Sequence, residues 1–236
     1  MFRMEDSTNL WVFGYGSLVW KPGFQHGRIL VGSVGGFARR LWQGNETHRG
    51  TPGKPGRVAT LVEETSSETF GVAMELTGDE ALDYLNNREM TLGGYSQKIT
   101  LFHPADTSNS PFPVLVFVAT PKSSYWLGPA SPDLIAEQVV RSSGPSGHNV
   151  EYVLRLADWV HQELPDVHDE HLFSIEEEIR LMIKERNLSL KFLMGEKEEP
   201  VEAQPEVSHS ESSPQTGRRT TFTAHCQKNC LKCIKL

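Results

Sequence analysis

Seven short segments with the hydrophobic patterning of β-strands lie between residues 10 and 119, and regular helices do not separate them. They occupy residues 10–14, 28–34, 37–42, 57–63, 69–76, 95–102 and 114–119. Apolar residues recur at every second position, as in Val72, Met74 and Leu76, which is the period of a half-buried strand. A doubly wound parallel sheet needs a helix between its strands, so this order favours a twisted sheet or a barrel.

Two pairs of these segments have the spacing of hairpins. Gly35-Gly36 joins residues 28–34 to residues 37–42, and a glycine pair favours a tight turn between antiparallel strands. Residues 57–63 and 69–76 form the second predicted hairpin.

Four segments carry helix signals. Thr77-Gly78-Asp79-Glu80 fits a capping box that opens a short helix. Ser131-Pro132-Asp133 places a capping hydroxyl before a proline, which is typical of a helix start. Apolar residues recur at helical spacing over residues 150–164 and 172–183, so both segments are predicted to be amphipathic helices.

Composition indicates one folded domain with extensions. The chain has 236 residues, of which 38% are hydrophobic, and a net charge of −7 that argues against a general nucleic-acid binder. The N-terminus lacks the apolar region of a secretory signal, and no apolar run approaches a membrane span, so we expect a cytoplasmic protein. We predict a flexible lead-in over residues 1–9, a folded domain over 10–192, and a disordered, largely polar tail over 193–236.

A tight turn with two glycines follows the first strand segment. Gly14 and Gly16 permit a sharp turn around Tyr15, and successive N–H groups in such a turn can cradle a carboxylate or an oxyanion. The turn is not a dinucleotide-binding fingerprint, because Val19 stands where a third glycine is needed. It is not a nucleophile elbow either, because Tyr15 occupies a position that requires glycine. The alternative is an ordinary strand that ends in a tight turn.

Two glutamates are candidates for acid–base chemistry. Glu89 lies between the short predicted helix and the Gly93-Gly94 pair, and connecting segments of this kind often carry catalytic groups. The alternative is a solvated glutamate at a helix end. Glu80 is explained by the capping box.

A basic loop stands out against the acidic background. Its members are His48, Arg49, Lys54 and Arg57. Because arginine binds carboxylates through two parallel hydrogen bonds, the loop suggests an anionic small molecule as a partner, with a solvated loop as the alternative. Tyr152 is either a hydrogen-bond donor at the site or an ordinary surface residue.

Several longer motifs occur in a specific order. They are Trp11-Val12-Phe13-Gly14-Tyr15-Gly16-Ser17-Leu18-Val19-Trp20, Arg39-Arg40-Leu41-Trp42-Gln43-Gly44, residues 48–58, Arg88-Glu89 with Gly93-Gly94-Tyr95, residues 125–130, residues 144–152, and Asp169-Glu170-His171-Leu172. This ordered set resembles the ChaC family of glutathione-specific γ-glutamylcyclotransferases. The resemblance covers about residues 10 to 190; each motif alone is common, but their order is specific.

The resemblance implies an α+β fold, a small closed or nearly closed β-barrel of about seven short strands with flanking helices. It implies a lyase that converts glutathione to 5-oxoproline and Cys-Gly without a cofactor or a metal, and a catalytic domain over residues 10–192. Glu89 is then the acid–base residue, and the substrate-binding residues are Tyr15, Gly16, Ser17, Leu18, Arg49 and Tyr152. Two alternatives are a cyclotransferase for other γ-glutamyl amino acids or amines, and a binding module without turnover.

The last residues contain every cysteine and allow three interpretations. Cys233-Ile234-Lys235-Leu236 fits a C-a-a-X signal for geranylgeranylation, although Lys235 occupies a usually aliphatic position. Cys226 and Cys230 are then candidates for palmitoylation, and membrane association is expected only with such lipids. The cysteines with His225 are an alternative zinc site, and a tail with incidental thiols is the third interpretation.

Overall fold

A closed β-barrel of five strands forms the centre of the computed structural model, which describes residues 10–196 except Asp79 and Gly93. The strands are β1 (Trp11–Gly14), β2 (His26–Asn45), β3 (Gly56–Leu76), β4 (Ser96–Pro104) and β5 (Phe112–Val118). Their order around the barrel is β1-β3-β2-β4-β5. The strand pairs are antiparallel, except that β1 runs parallel to β5 where Val12 faces Leu115. The predicted α+β barrel is therefore confirmed.

The two predicted hairpins are wrong, because each pair of segments is one long strand. β2 has 20 residues and β3 has 21, and the two strands pair with each other along most of their length. At Gly36 the φ angle is +81°, and the pairing shifts from Gly35 opposite Glu68 to Phe37 opposite Glu63. Such a bulge increases local bend and twist, which lets one long strand pair curve around the barrel.

Helices cover the outside of the barrel. They are α1 (Ala81–Leu85), α2 (Pro132–Arg141), α3 (Asn149–Glu163), α4 (Glu170–Glu185) and α5 (Leu190–Leu193). A single π-helical turn (Asn86–Thr91) extends α1, and a 3-10 turn (Ser17–Val19) follows β1. Two short strands, β6 (Ser143–Gly144) and β7 (Gly147–His148), pair between α2 and α3. The helix predictions over 131–141, 150–164 and 172–183 are confirmed.

The predicted capping box does not form. Glu80 is itself the residue before α1, and its side chain makes no capping hydrogen bond. Gly78 has a φ angle of +83°, so the chain turns after Thr77 and the helix begins later than the box requires.

The hydrophobic core joins the barrel interior to the inner faces of α2, α3 and α4. Its fully buried members include Phe13, Leu41, Phe102, Ile135, Leu154, Leu172, Ile175 and Ile179. Alternate residues of the strands supply the barrel half, and residues three or four apart supply the helical half. The core therefore fixes the helices against one side of the barrel.

One asparagine determines where α3 begins relative to β3. Asn149 is fully buried; its Oδ1 accepts a hydrogen bond from the Arg57 N–H (2.6 Å), and its Nδ2 donates to the Arg57 carbonyl (2.9 Å). The side-chain amide thus satisfies both the backbone N–H and the backbone carbonyl of Arg57, as a neighbouring strand would.

No helix among residues 10–196 is long and apolar enough to cross a membrane. The predicted lead-in and the cysteine-containing end of the tail lie outside the described residues.

Asn149→Ala is expected to lower the free energy of unfolding by about 2–4 kcal/mol, because it leaves two buried backbone groups without partners. Urea denaturation followed by circular dichroism measures the change. The matched control is Asn109→Ala in the β4–β5 connection, where the amide bonds only to nearby side chains and the change stays within about 0.5 kcal/mol. Equal losses in the two variants contradict the role given to Asn149.

Candidate active site

A cavity of about 390 Å³ opens between β1, the π-helical turn, the β2–β3 loop and α3. Every residue that the sequence analysis assigned to catalysis or substrate binding lines it, namely Tyr15, Gly16, Ser17, Leu18, Arg49, Glu89 and Tyr152. The fold therefore brings together residues that are up to 137 positions apart, from Tyr15 to Tyr152. Glu80 is not among the described residues of the lining.

Glu89 is a largely buried carboxylate on the π-helical turn. Its side chain is 16% exposed, and its Oε1 lies 3.1 Å from the Nε of Arg88. Burial raises the pKa of the Glu89 carboxyl, and the positive charge of Arg88 opposes that rise without cancelling it. The alternative of a solvated glutamate is therefore wrong, and the carboxyl is suited to exchange a proton.

Arg88 ties the π-helical turn to the turn after β1. Its Nη2 donates to the Ser17 hydroxyl (2.8 Å), and its Nη1 donates to the carbonyls of Lys21 (3.1 Å) and Pro22 (2.8 Å). Together with the Glu89 ion pair, these bonds hold the carboxylate beside the Ser17 turn. Arg88 belongs to the Arg88-Glu89 motif, but the sequence alone indicates no role for it.

Three tyrosines line the wall near Glu89: Tyr15 and Tyr152 are buried, and Tyr95 is partly buried. The Tyr15 hydroxyl donates to the Phe117 carbonyl, the Tyr95 hydroxyl donates to the Ala59 carbonyl (2.8 Å), and the Tyr152 hydroxyl accepts from the Ala59 N–H (2.9 Å). The surface alternative for Tyr152 is therefore wrong.

Burial raises the pKa of each of these hydroxyls, to about 12 for Tyr152, so they are neutral donors. The Tyr152 bond leaves its own hydrogen free to donate. Tyr95 was not predicted for the site; its only sequence signal is its place after Gly94 in the quoted motif.

Gly16 permits a close approach that no other residue allows. A Cβ atom there would lie 2.8 Å from the Tyr152 oxygen, so a side chain at this position would displace the Tyr152 hydroxyl from its bond to the Ala59 N–H or shift the turn. The 3-10 turn begins at the next residue, and the first N–H groups of a helix have no acceptor within it. The turn therefore presents backbone donors at the cavity wall.

The basic loop does not form a single patch. Arg49 lines the cavity, but its Nη1 contacts Glu151 Oε2 (2.6 Å) and the His148 carbonyl (3.0 Å). Arg57 is buried and donates to two backbone carbonyls, which gives it a structural role. Lys54 is exposed in a tight turn and is not among the described lining residues. Of the four basic residues of the loop, the structure therefore places His48 and Arg49 at the cavity and Lys54 and Arg57 outside its lining.

Within residues 10–196, apart from Asp79 and Gly93, no three His, Cys, Asp or Glu side chains are grouped closely enough to hold a metal ion.

Comparison with known proteins gives consistent matches. A family model described as ChaC-like protein matches residues 10–182. The glutathione-specific γ-glutamylcyclotransferase 1 of Danio rerio is 49% identical over 176 residues, which are 73% of this chain and 90% of that protein. The human protein of the same name is 46% identical over 181 residues, or 75% of this chain and 82% of that one.

A solved structure has the same fold. The crystal structure of a γ-glutamyl cyclotransferase specific to glutathione from yeast superposes with a TM-score of 0.66 at 26% identity. The match covers 73% of this chain and 96% of that one.

The pKa of Glu89 is expected to lie above the ordinary glutamate range and to rise further in Arg88→Met, because the arginine charge is the influence that lowers it. Carboxyl-detected ¹³C NMR titration measures both values. Arg155→Met is the control, since Arg155 pairs with Glu151 and does not line the cavity. An unchanged or lower Glu89 pKa in Arg88→Met contradicts the analysis.

Proposed function

This chain belongs to the ChaC-like protein family, and we propose that it is a γ-glutamylcyclotransferase that cleaves glutathione to 5-oxoproline and Cys-Gly. The observation that carries the proposal is the position of Glu89, a buried carboxyl of raised pKa on the wall of a cavity. The cavity volume of about 390 Å³ is within the range of about 300–1,000 Å³ that is usual for small-molecule sites. Relatives named for this activity are 46–50% identical to the chain.

The reaction needs no nucleophile from the protein. The α-amine of the γ-glutamyl group attacks its own γ-carbonyl carbon, and a five-membered lactam forms while the bond to the cysteine nitrogen breaks. Holding the two reacting groups in attack geometry can correspond to effective concentrations of about 10⁵–10⁸ M. The protein must therefore fold the substrate back on itself and manage two proton transfers.

One carboxyl is sufficient for both transfers. As a carboxylate, Glu89 accepts a proton from the substrate ammonium and frees the amine lone pair. The protonated carboxyl then donates to the departing cysteine nitrogen. The regenerated carboxylate passes the second proton of the attacking nitrogen to the same leaving group, so the products are a neutral lactam and the ammonium form of Cys-Gly. A raised pKa suits this exchange, because the group gains and loses a proton more evenly near neutral pH.

The surroundings of Glu89 support binding of the γ-glutamyl group at this end of the cavity. The backbone N–H groups of Ser17 and Leu18 and the Tyr152 hydroxyl are donors for the substrate α-carboxylate or for the oxyanion that develops on the γ-carbonyl. The hydroxyls of Tyr15 and Tyr95 are engaged with backbone carbonyls, so these rings act as fixed walls.

Glu89→Gln is expected to reduce 5-oxoproline release from glutathione by about 10²–10⁴-fold while the fold is retained, because the amide cannot exchange a proton. Chromatographic assay of 5-oxoproline with purified protein measures the rate. Glu163→Gln, at the exposed end of α3, is the matched control and keeps the wild-type rate. A folded Glu89→Gln variant that works at the wild-type rate excludes Glu89 as the acid–base residue.

The pH profile provides a second test. Because the carboxylate form of Glu89 starts the reaction, kcat/KM falls as the pH drops through the Glu89 pKa. That pKa is raised by burial, so the acidic limb is expected above the ordinary glutamate range. Measurement of kcat/KM for glutathione between pH 4 and pH 9 locates the limb. A limb at or below the ordinary glutamate range contradicts the assignment.

A further inference from the structure

Four basic side chains line one part of the cavity. They come from the turn after β1, the β2–β3 loop and the π-helical turn, and they are Lys21, His48, Arg49 and Arg88. Burial lowers the pKa of His48 most, and the positive charges of Arg88, Arg49 and Lys21 lower it further. This part of the cavity is therefore electropositive, although the whole chain is acidic.

Two of the positive charges are already paired with carboxylates. Arg49 contacts Glu151 at 2.6 Å in a buried ion pair. Arg88 contacts Glu89 at 3.1 Å, and its other nitrogens donate to the Ser17 turn and to two carbonyls. A ligand carboxylate that approaches either guanidinium therefore meets a carboxylate that is already bound there.

Lys21 differs from both arginines. Its backbone is fixed, since its N–H donates to the Ser17 carbonyl (2.8 Å) and its own carbonyl accepts from Arg88 (3.1 Å). Its side chain is exposed on the cavity rim, and no carboxylate of the described part of the chain pairs with its ammonium group. A positive charge without a partner is thus held at the open side of the site.

We infer that Lys21 binds the glycine carboxylate of glutathione and so determines the preference for this tripeptide. The inference rests on the proposed function: when the γ-glutamyl group lies at the buried Glu89, the rest of the peptide extends toward the exposed rim. Its last group there is a carboxylate, which Lys21 and the neighbouring His48 face. Arg49 also lines the cavity, but its Nη1 is engaged by Glu151 and by the His148 carbonyl, whereas the Lys21 ammonium group pairs with no carboxylate of the described residues.

The test compares glutathione with its glycine amide, which lacks only the terminal charge. Lys21→Met is expected to raise KM for glutathione about tenfold with kcat nearly unchanged, as for loss of one charge-assisted hydrogen bond. The wild-type protein is expected to prefer glutathione over the amide by a similar factor, and Lys21→Met to lose that preference. Lys21→Arg retains most of it. Lys54→Met, an exposed lysine outside the lining, is the control and behaves as wild type.

A second measurement does not depend on turnover. In the Glu89→Gln background, NMR titration of His48 is expected to show a higher pKa when glutathione is bound, because a carboxylate then offsets the surrounding charges. The glycine amide produces a smaller rise.

Two results overturn the inference and are distinguishable. If Lys21→Met keeps the wild-type KM and the preference for glutathione over its amide, Lys21 is not the carboxylate contact, although the proposed function stands. If the wild-type protein releases 5-oxoproline from neither compound, the proposed function fails and this inference fails with it.

Discussion

The double hydrogen bond between the Asn149 amide and the backbone of Arg57 sets the geometry on which the site depends. It fixes the first turn of α3 against β3 inside the molecule, where unpaired polar groups are costly. One helical turn further on, Tyr152 then reaches the N–H of Ala59. A change in this register would move the tyrosine away from Gly16 and open the cavity wall.

The part of the site around Glu89 depends on electrostatics rather than on packing alone. Burial favours the neutral form of the Glu89 carboxyl, and the positive charge of Arg88 favours the carboxylate form. The pKa of this carboxyl is therefore raised, but less than burial alone would raise it. A stronger pairing would lower the pKa of the carboxyl and make it a weaker base, and loss of the pairing would raise that pKa further. Because Arg88 also bonds to the Ser17 turn, the same contact positions the carboxylate and adjusts its basicity.

The charges of the site are arranged by partners from distant parts of the chain. Glu151 lies 102 positions after Arg49 and pairs both with it and with Arg155. A positively charged cavity rim on a chain of net charge −7 attracts an anionic ligand to one place rather than to the whole surface. In the proposed site, the pairing pattern therefore decides where an anion binds, and the number of basic residues in the loop does not.

The sequence by itself determined the strand segments and the helices α2, α3 and α4. It also contains the ordered motifs that identify Glu89 as a candidate acid–base residue. These features depend on the period of hydrophobic residues and on helix capping, and both involve residues close together in the sequence. It could not decide whether Gly35-Gly36 was a turn or a bulge, because that depends on which strand lies alongside. The capping box at Thr77 failed for a local reason, the positive φ of Gly78, which the motif does not reveal.

Only the tertiary structure decided which side chains of the site are buried and which partners they bind. The burial of Tyr152, the ion pair of Arg49 and the network of Arg88 all depend on contacts between residues far apart in the chain. The same holds for Lys21, which has no distinguishing sequence pattern and stands out only because its neighbours are paired. Burial and pairing are properties of the folded arrangement, and no spacing of residues along the chain encodes them directly.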